Sequence, residues 1–270
     1  MTPRRGDQRA AVAERPFTAR SVIASTLLGM HPPRLRTALL VRSGELFGIS
    51  EGTVRTAISR MVAAGELEPD GAGYRLAGHL VARQSRQDAS RRPRLRRWRG
   101  VWEQYVVPPA ARPAGARGEL RRAMRALGLA ELRDGVWLRP DNLDPARAPE
   151  ARAVVTAARC WSLASRPVAG GDPAALAASL WDLRGWADEA RRLTRRLADA
   201  TPELAAGRTA GLRDAFVLSA AVLRHLLADP LLPDELVPED WPGPALRSAY
   251  EAFDVAFTSC WRDFLLAQQP

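Results

Sequence analysis

Between Phe17 and Leu28 the apolar residues Val22, Ile23, Ala24, Leu27 and Leu28 recur at spacings of three and four, the repeat of one helix face. Gly29 and the Pro32-Pro33 pair stop that helix. A second, shorter helix is expected from Leu39 to Phe47, with Gly48 behind it as a C-cap. Ser50 then offers a hydroxyl to cap a third helix, Glu51 to Ala64, closed by Gly65. On this helix Val54, Ala57, Ile58 and Met61 share one face and are expected to pack on the first two helices. Thr53, Arg55, Thr56, Ser59 and Arg60 are left on the other faces. Leu67 to Leu76 reads as two short strands around a turn rich in Asp and Gly. Three helices, a tight turn before the third and a hairpin after it predict a winged helix-turn-helix over residues 16–82.

The pattern then changes. Residues 84–94 carry almost no apolar side chain, so 83–97 is expected to be a linker or a strap lying along phosphate. In residues 98–171 we expect a strand at Trp102–Val107 ended by Pro108-Pro109 and a helix at Glu119–Leu127 closed by Gly128. A strand at Gly135–Pro140, a helix at 151–158 and a strand at 160–168 follow. That alternation suggests a small ferredoxin-like α+β domain. Asp172, with Pro173 at the first helical position, opens residues 172–270. Helices are expected there near 174–200, 203–228 and 243–267. Residues 1–15, polar, basic and Ala-rich, read as a disordered arm. The predicted fold class is α+β and mostly helical.

Composition adds limits. The 270 residues are 46% hydrophobic and 26% charged, values of an ordinary globular chain. No apolar run approaches membrane-spanning length, and the N-terminus lacks the apolar core of a signal peptide, so a soluble cytoplasmic protein is expected. Two cysteines, Cys160 and Cys260, and three scattered histidines, His31, His79 and His225, make neither a disulfide framework nor a metal site, and no cofactor is expected. All forty basic residues are arginine, and the net charge of +10 is unevenly placed. Residues 1–100 hold 19 arginines against 8 carboxylates, whereas residues 172–270 hold 10 against 15. A basic first third on a chain with an acidic last third points to one segment that meets a polyanion.

The third predicted helix supplies the matching chemistry. Short hydroxyls let a helix approach the floor of a major groove, and arginines reach phosphates or guanine edges. Ser50, Thr53, Arg55, Thr56, Ser59 and Arg60 are therefore the candidate DNA-binding residues, with Tyr74 and Arg75 on the wing. No catalytic constellation accompanies them. No histidine belongs to a Ser/His/Asp motif, and the first strand of the middle domain ends Tyr105-Val106-Val107-Pro108 without a metal-binding carboxylate. Arg133, Trp137, Arg139, Trp181 and Trp186 are ligand-binding candidates by residue type alone: cations for an anionic group, aromatics for an apolar one.

Four segments, in order, carry a family resemblance. Val54-Arg55-Thr56-Ala57-Ile58-Ser59-Arg60-Met61 resembles the recognition-helix signature of PaaX-type repressors, and Gly135-Val136-Trp137-Leu138-Arg139-Pro140 is similar to a strand of their central domain. Trp181-Asp182-Leu183 resembles the opening of their helical region, and the block from Asp229-Pro230-Leu231-Leu232-Pro233 to Trp241-Pro242-Gly243 is similar to one near their C-terminus. In the middle domain Val106-Val107-Pro108-Pro109-Ala110 departs from the longer apolar strand of the family.

The resemblance implies a homodimeric repressor of aromatic-acid catabolism, relieved by an acyl-CoA thioester such as phenylacetyl-CoA. Its double-stranded DNA operator would be two-fold symmetric, because paired recognition helices match a palindrome. A ligand held between the middle and C-terminal regions would alter the dimer geometry. Two other readings stay open: a nucleic-acid- or CoA-binding enzyme with an accessory winged helix, and an interaction protein without an effector.

Overall fold

In a computed structural model the protein is described at residues 17–109, 112–166 and 171–267. The predicted arm at 1–15 lies outside them. The described residues belong to two compact units: one draws on those of 17–86, 203–220 and 255–267, the other on those of 87–109, 112–166, 171–202 and 221–254. The fold is α+β and mostly helical, with two small antiparallel sheets. Residues 172–270, expected as one helical domain, contribute to both units, a long-range division that local periodicity does not carry.

The first unit begins with α1 (Ala19–Leu28), where Thr18 and Ser21 form a reciprocal capping box. Then come β1 (Arg34–Arg36), α2 (Thr37–Glu45), α3 (Glu51–Ala63), β2 (Leu67–Asp70) and β3 (Gly73–Leu76). The strands order β1-β3-β2, all antiparallel. This is a winged helix whose two-stranded wing is joined by an extra strand, β1, that lies in the chain between the first two helices. The sequence reading lacks β1 because three residues, Arg-Leu-Arg, are too short and too polar to show a period. Ile23, Leu27, Leu40, Val54, Ile58, Met61, Leu67 and Leu76 make the core. At roughly 1.5–3 kcal/mol for each large buried side chain, this cluster is the main stabilising term of the unit. The wing turn is two residues long, with Gly71 at φ +58, the conformation required at the first centre of a type II′ turn.

Close approach sets two other glycines. A Cβ on Gly44 would lie 2.5 Å from Val54 Cγ2, where α2 meets α3. A Cβ on Gly73 would lie 2.0 Å from the Leu35 carbonyl oxygen, so only glycine lets β1 pair with β3. Elsewhere in this unit Phe17, Phe47, Phe216 and Trp261 form a chain of ring contacts at 5.0–5.4 Å between centroids.

The expected linker is instead mostly helix: α4 spans His79–Arg91. Beyond Leu80, which joins the hydrophobic core, its inward positions are Gln84, Gln87 and Ser90, all buried. Gln84 Nε2 donates to the carbonyls of Leu28 at 3.1 Å and Met30 at 3.0 Å. Polar residues occupy the core-facing positions, so a search for apolar periodicity passes over this helix.

The second unit contains β4 (Trp102–Val106), α5 (Ala114–Ala126), β5 (Ala130–Arg133), β6 (Val136–Pro140), α6 (Pro149–Ala157) and β7 (Trp161–Ser165). The strand order β5-β6-β4-β7, antiparallel throughout, is the ferredoxin-like arrangement. The short strand β5 completes the hairpin around Gly135 that the sequence reading left out. Strand alternation divides the sheet's two faces. Tyr105 and Trp137 pack with α5 and α6, whereas Trp102 and Leu138 pack with α7 (Pro173–Leu180) and the segment Leu232–Leu236. Every residue of β6 is buried as a result. Asp172 caps α7 through the Ala174 N–H at 2.9 Å, as its position before Pro173 predicts. Three longer helices follow, α8 (Leu183–Ala205), α9 (Leu212–Leu227) and α10 (Gly243–Leu266). The expected single helix over 174–200 is broken at Trp181-Asp182, where Asp182 Oδ1 accepts from the Gly185 N–H and starts α8. The next break comes at Gly207, φ +71, later than expected because α8 runs on through Pro202.

Gly73→Ala should destabilise the protein by about 1–3 kcal/mol, since backbone must move to admit the methyl group. Gly52→Ala, on an open helical surface with no atom within 4 Å of the new carbon, should be neutral or stabilising by up to about 1 kcal/mol. Urea denaturation of both variants checks the pair.

Candidate nucleic-acid interface and ligand cleft

Helix α3 divides as its sequence predicts. Val54, Ile58 and Met61 are buried, Ala57 is half-buried, and Thr53, Arg55, Thr56, Ser59 and Arg60 are exposed. Ser50 caps the helix: its Oγ accepts from the Thr53 N–H at 3.4 Å and lies 2.9 Å from Thr53 Oγ1. Thr56 and Ser59 direct their hydroxyls back to the carbonyls of Gly52 and Arg55, at 2.8 and 3.1 Å. Arg55 Nε donates to Glu51 at 2.7 Å, an exposed pair that a stronger polyanion can displace at small cost. Arg60 has no carboxylate partner among the described residues. A groove of about 610 Å³ runs beside this face, between Thr18–Arg20 and the Thr53, Thr56 and Arg60 side of α3.

The wing candidates are placed differently from each other. Arg75 is exposed and ion-paired to Glu68, its partner across β2 and β3. Tyr74 sits opposite Leu35 and Pro69 in the central strand and is half-buried against the hydrophobic core. The nearby Glu66 carboxylate is held below the usual range by its hydrogen bonds from Arg20, against the opposing effect of burial.

The ligand candidates do not form one group. Arg133 is exposed at the end of β5. Trp186 is buried in an aromatic stack, 4.6 Å from both His225 and Trp241. Its Nε1–H donates to the His225 carbonyl at 3.2 Å, and His225 Nε2 lies 3.0 Å from the Trp186 carbonyl. Burial pushes the His225 pKa down. Arg139 is only 1% exposed. Its guanidinium donates to the carbonyls of Pro140, Gly128 and Leu231 at 3.1, 3.2 and 3.3 Å and to Asn142 Oδ1 at 2.9 Å. All these acceptors are neutral, and desolvation lowers its pKa to about 9. Its place in the structure is an internal tie, closed to direct ligand contact.

Trp137 and Trp181 do come together, in a cleft of about 340 Å³ whose rim also carries Arg125 and Arg147. Those two arginines escaped the sequence reading because nothing about their local pattern separates them from solvated arginines. Among the described residues no group of three His, Cys, Asp or Glu side chains could hold a metal ion, and no helix is long and apolar enough to cross a membrane. Both cysteines are free thiols.

The first unit's fold defines the class, that of winged helix-turn-helix regulators. Residues 18–80 match the family model of the PaaX-like protein, and residues 181–267 match that of the PaaX-like protein C-terminal domain. The structure of an uncharacterized protein, Rv0674 from Mycobacterium tuberculosis, is similar at 42% identity and a TM-score of 0.71, covering 92% of this chain and 99% of that one. No curated protein matches the chain. The chain belongs to the PaaX-like family and is a transcriptional regulator.

Arg139→Met should destabilise the protein by at least about 3 kcal/mol in denaturant titrations, because it strands several buried carbonyls together. His225 gives a pH dependence. With its folded pKa depressed, the unfolded chain binds the proton first, so its contribution is full above the ordinary value of 6.5 and is lost as pH falls below it. Thermal melts between pH 7.5 and 5.5 should show this loss reduced in His225→Gln.

Proposed function

We propose that the protein is a homodimeric repressor that binds a two-fold symmetric double-stranded DNA operator and is released by an acyl-CoA thioester such as phenylacetyl-CoA. One observation carries the DNA-binding part. The exposed face of α3 is built of Thr53, Arg55, Thr56, Ser59 and Arg60, none of which the core requires. With Ser50 as its cap, this helix presents hydroxyls for close approach and guanidinium groups for phosphate or guanine. The basic balance of residues 1–100 supports the same reading. Arg75 would add a phosphate contact from the wing, and Tyr74 would act by stiffening the strand that carries it.

Self-association is supported by β7, an edge strand whose Trp161 and Leu163 are exposed and whose five residues include no charge and no proline. Sheet edges are normally guarded by such residues, and an unguarded one suits pairing with a second chain. Family membership supports the acyl-CoA effector, and the regulator class supports a binding function without catalysis.

Fluorescence anisotropy with DNA from upstream of the gene, against a shuffled duplex at physiological salt, tests the proposal. Selective binding, released on addition of phenylacetyl-CoA, is the expected outcome. Arg60→Ala and Arg55→Ala should each weaken operator binding by about 1–3 kcal/mol with unchanged melting temperature. Unchanged affinity in both would remove α3 from the interface. Equal, salt-sensitive affinity for the two duplexes would replace a specific repressor with a generic polyanion surface.

A further inference from the structure

The cleft that holds Trp137 and Trp181 has a charge imbalance that the fold does not use. Two carboxylates line it, Glu131 and Asp229, and both are already engaged. Arg121 pairs with Glu131 at 3.2 Å, and Asp229 accepts from Arg247 at 2.7 Å and from the Leu231 N–H at 2.8 Å. The lining cations are in the opposite condition. Neither Arg125 nor Arg147 has an ion pair among the described residues, although Arg147 is half-buried and desolvation lowers its pKa against the weaker opposing attraction of Asp229.

A further positive charge stands behind them. A Cβ on Gly128 would lie 2.1 Å from Arg139 Nη1 and 3.4 Å from Arg147 Nη1, so two guanidinium groups meet at this glycine. Its φ of +79 is one that residues with a side chain rarely adopt. Like charges at such separation, partly withdrawn from water, raise each other's energy, and an anion is the group that relieves them. The rest of the lining is apolar: Trp181, Leu180 and Leu227 at its surface, with Trp137 and Leu129 almost wholly buried beneath them.

We infer that this cleft is the site of an amphipathic anion, an acyl or aryl body carrying a carboxylate or phosphate, with Arg147 and Arg125 taking the charge and Trp181, backed by the buried Trp137, the apolar body. Arg139 contributes potential from behind without touching the ligand. The volume of about 340 Å³ lies within the range of small-molecule sites. The assignment deepens the ligand-responsive reading above and rests on it. A free aryl acid and the phosphates of a CoA thioester offer the same anionic chemistry, and binding data separate them.

The full-length protein, without DNA, is titrated with phenylacetyl-CoA, CoA and phenylacetate while tryptophan fluorescence is followed. Saturation by phenylacetyl-CoA or phenylacetate is expected, and the tighter of the two identifies the source of the anion. Arg147→Gln and the exposed Arg125→Gln should each raise the Kd about tenfold or more, as expected when a charge-assisted contact is lost. Ligand-free operator affinity should stay as in the wild type, and neither variant should lower the melting temperature, since Arg147→Gln relieves the repulsion with Arg139. Wild-type Kd in both variants, or no saturation by any probe up to about 1 mM, overturns the site. Selective operator binding by a protein that takes up none of the probes would sink the site and leave the DNA-binding regulator standing. Saturable binding that both arginines control, with no effect on operator affinity, would keep the site and remove the effector role.

Discussion

The second unit depends on a guanidinium that has been taken out of water. Moving a cation into a low-dielectric interior costs several kcal/mol unless each donor is satisfied there. Arg139 meets that condition with main-chain carbonyls from three places: Gly128 beyond α5, Pro140 at its own strand end, and Leu231 in the corner after α9. Asn142 adds a side-chain acceptor and itself donates to the Leu231 carbonyl at 2.9 Å. None of these groups is a good site alone, and each is unsatisfied if the others move. The central strand β6, the end of α5 and the turn around Leu231 are thereby fixed together. Leu231 holds φ +52, a costly conformation for a non-glycine residue that such surroundings can sustain.

The first unit solves a different problem, how to present a helix face that contributes little to stability. Thr18, Ser21 and Ser50 satisfy helix starts locally. Gly44 and Gly73 let α2 approach α3 and β1 approach β3. With α3 anchored through Val54, Ile58 and Met61 and flanked by Ala57 and Val62, its polar residues are free of packing duty. Polar residues kept on such a rigid, exposed face are available for recognition, and the internal hydrogen bonds of Thr56 and Ser59 keep those hydroxyls close to the helix surface.

Legibility followed the same division. Elements whose burial is written in apolar residues, such as α1, α3 and β6, were readable from spacing, and so were the Ser50 and Asp172 caps. The helix α4 was not, because after Leu80 its buried positions are Gln84, Gln87 and Ser90. Strand β1 was not, because it is held by pairing with a distant strand, Arg36 opposite Gly73, rather than by its own pattern. The exposed face of α3 could be listed residue by residue because one short helix contains it. The cleft could not be read that way. Its residues come from the end of α5, from β5, β6 and α7 and from the corner after α9, and only the folded chain brings Arg147 beside Trp181.

With no lysine in the chain, one residue type performs every cationic task, and composition cannot separate them. Arg139 ties carbonyls in the interior, and Arg247 joins Asp229 to the Ser90 carbonyl at 3.2 Å. Arg91 pairs with Asp254 while lying 5.2 Å from the centre of the Tyr250 ring. These charges are spent within the unit and offer little to a polyanion. Segment totals therefore overstate the positive potential open to a partner, whereas exposed Arg60 on α3 keeps its charge for one. Partner state, more than number, distinguishes an arginine that holds the fold from one that can hold a ligand, and on that criterion Arg125 and Arg147 stand with Arg60.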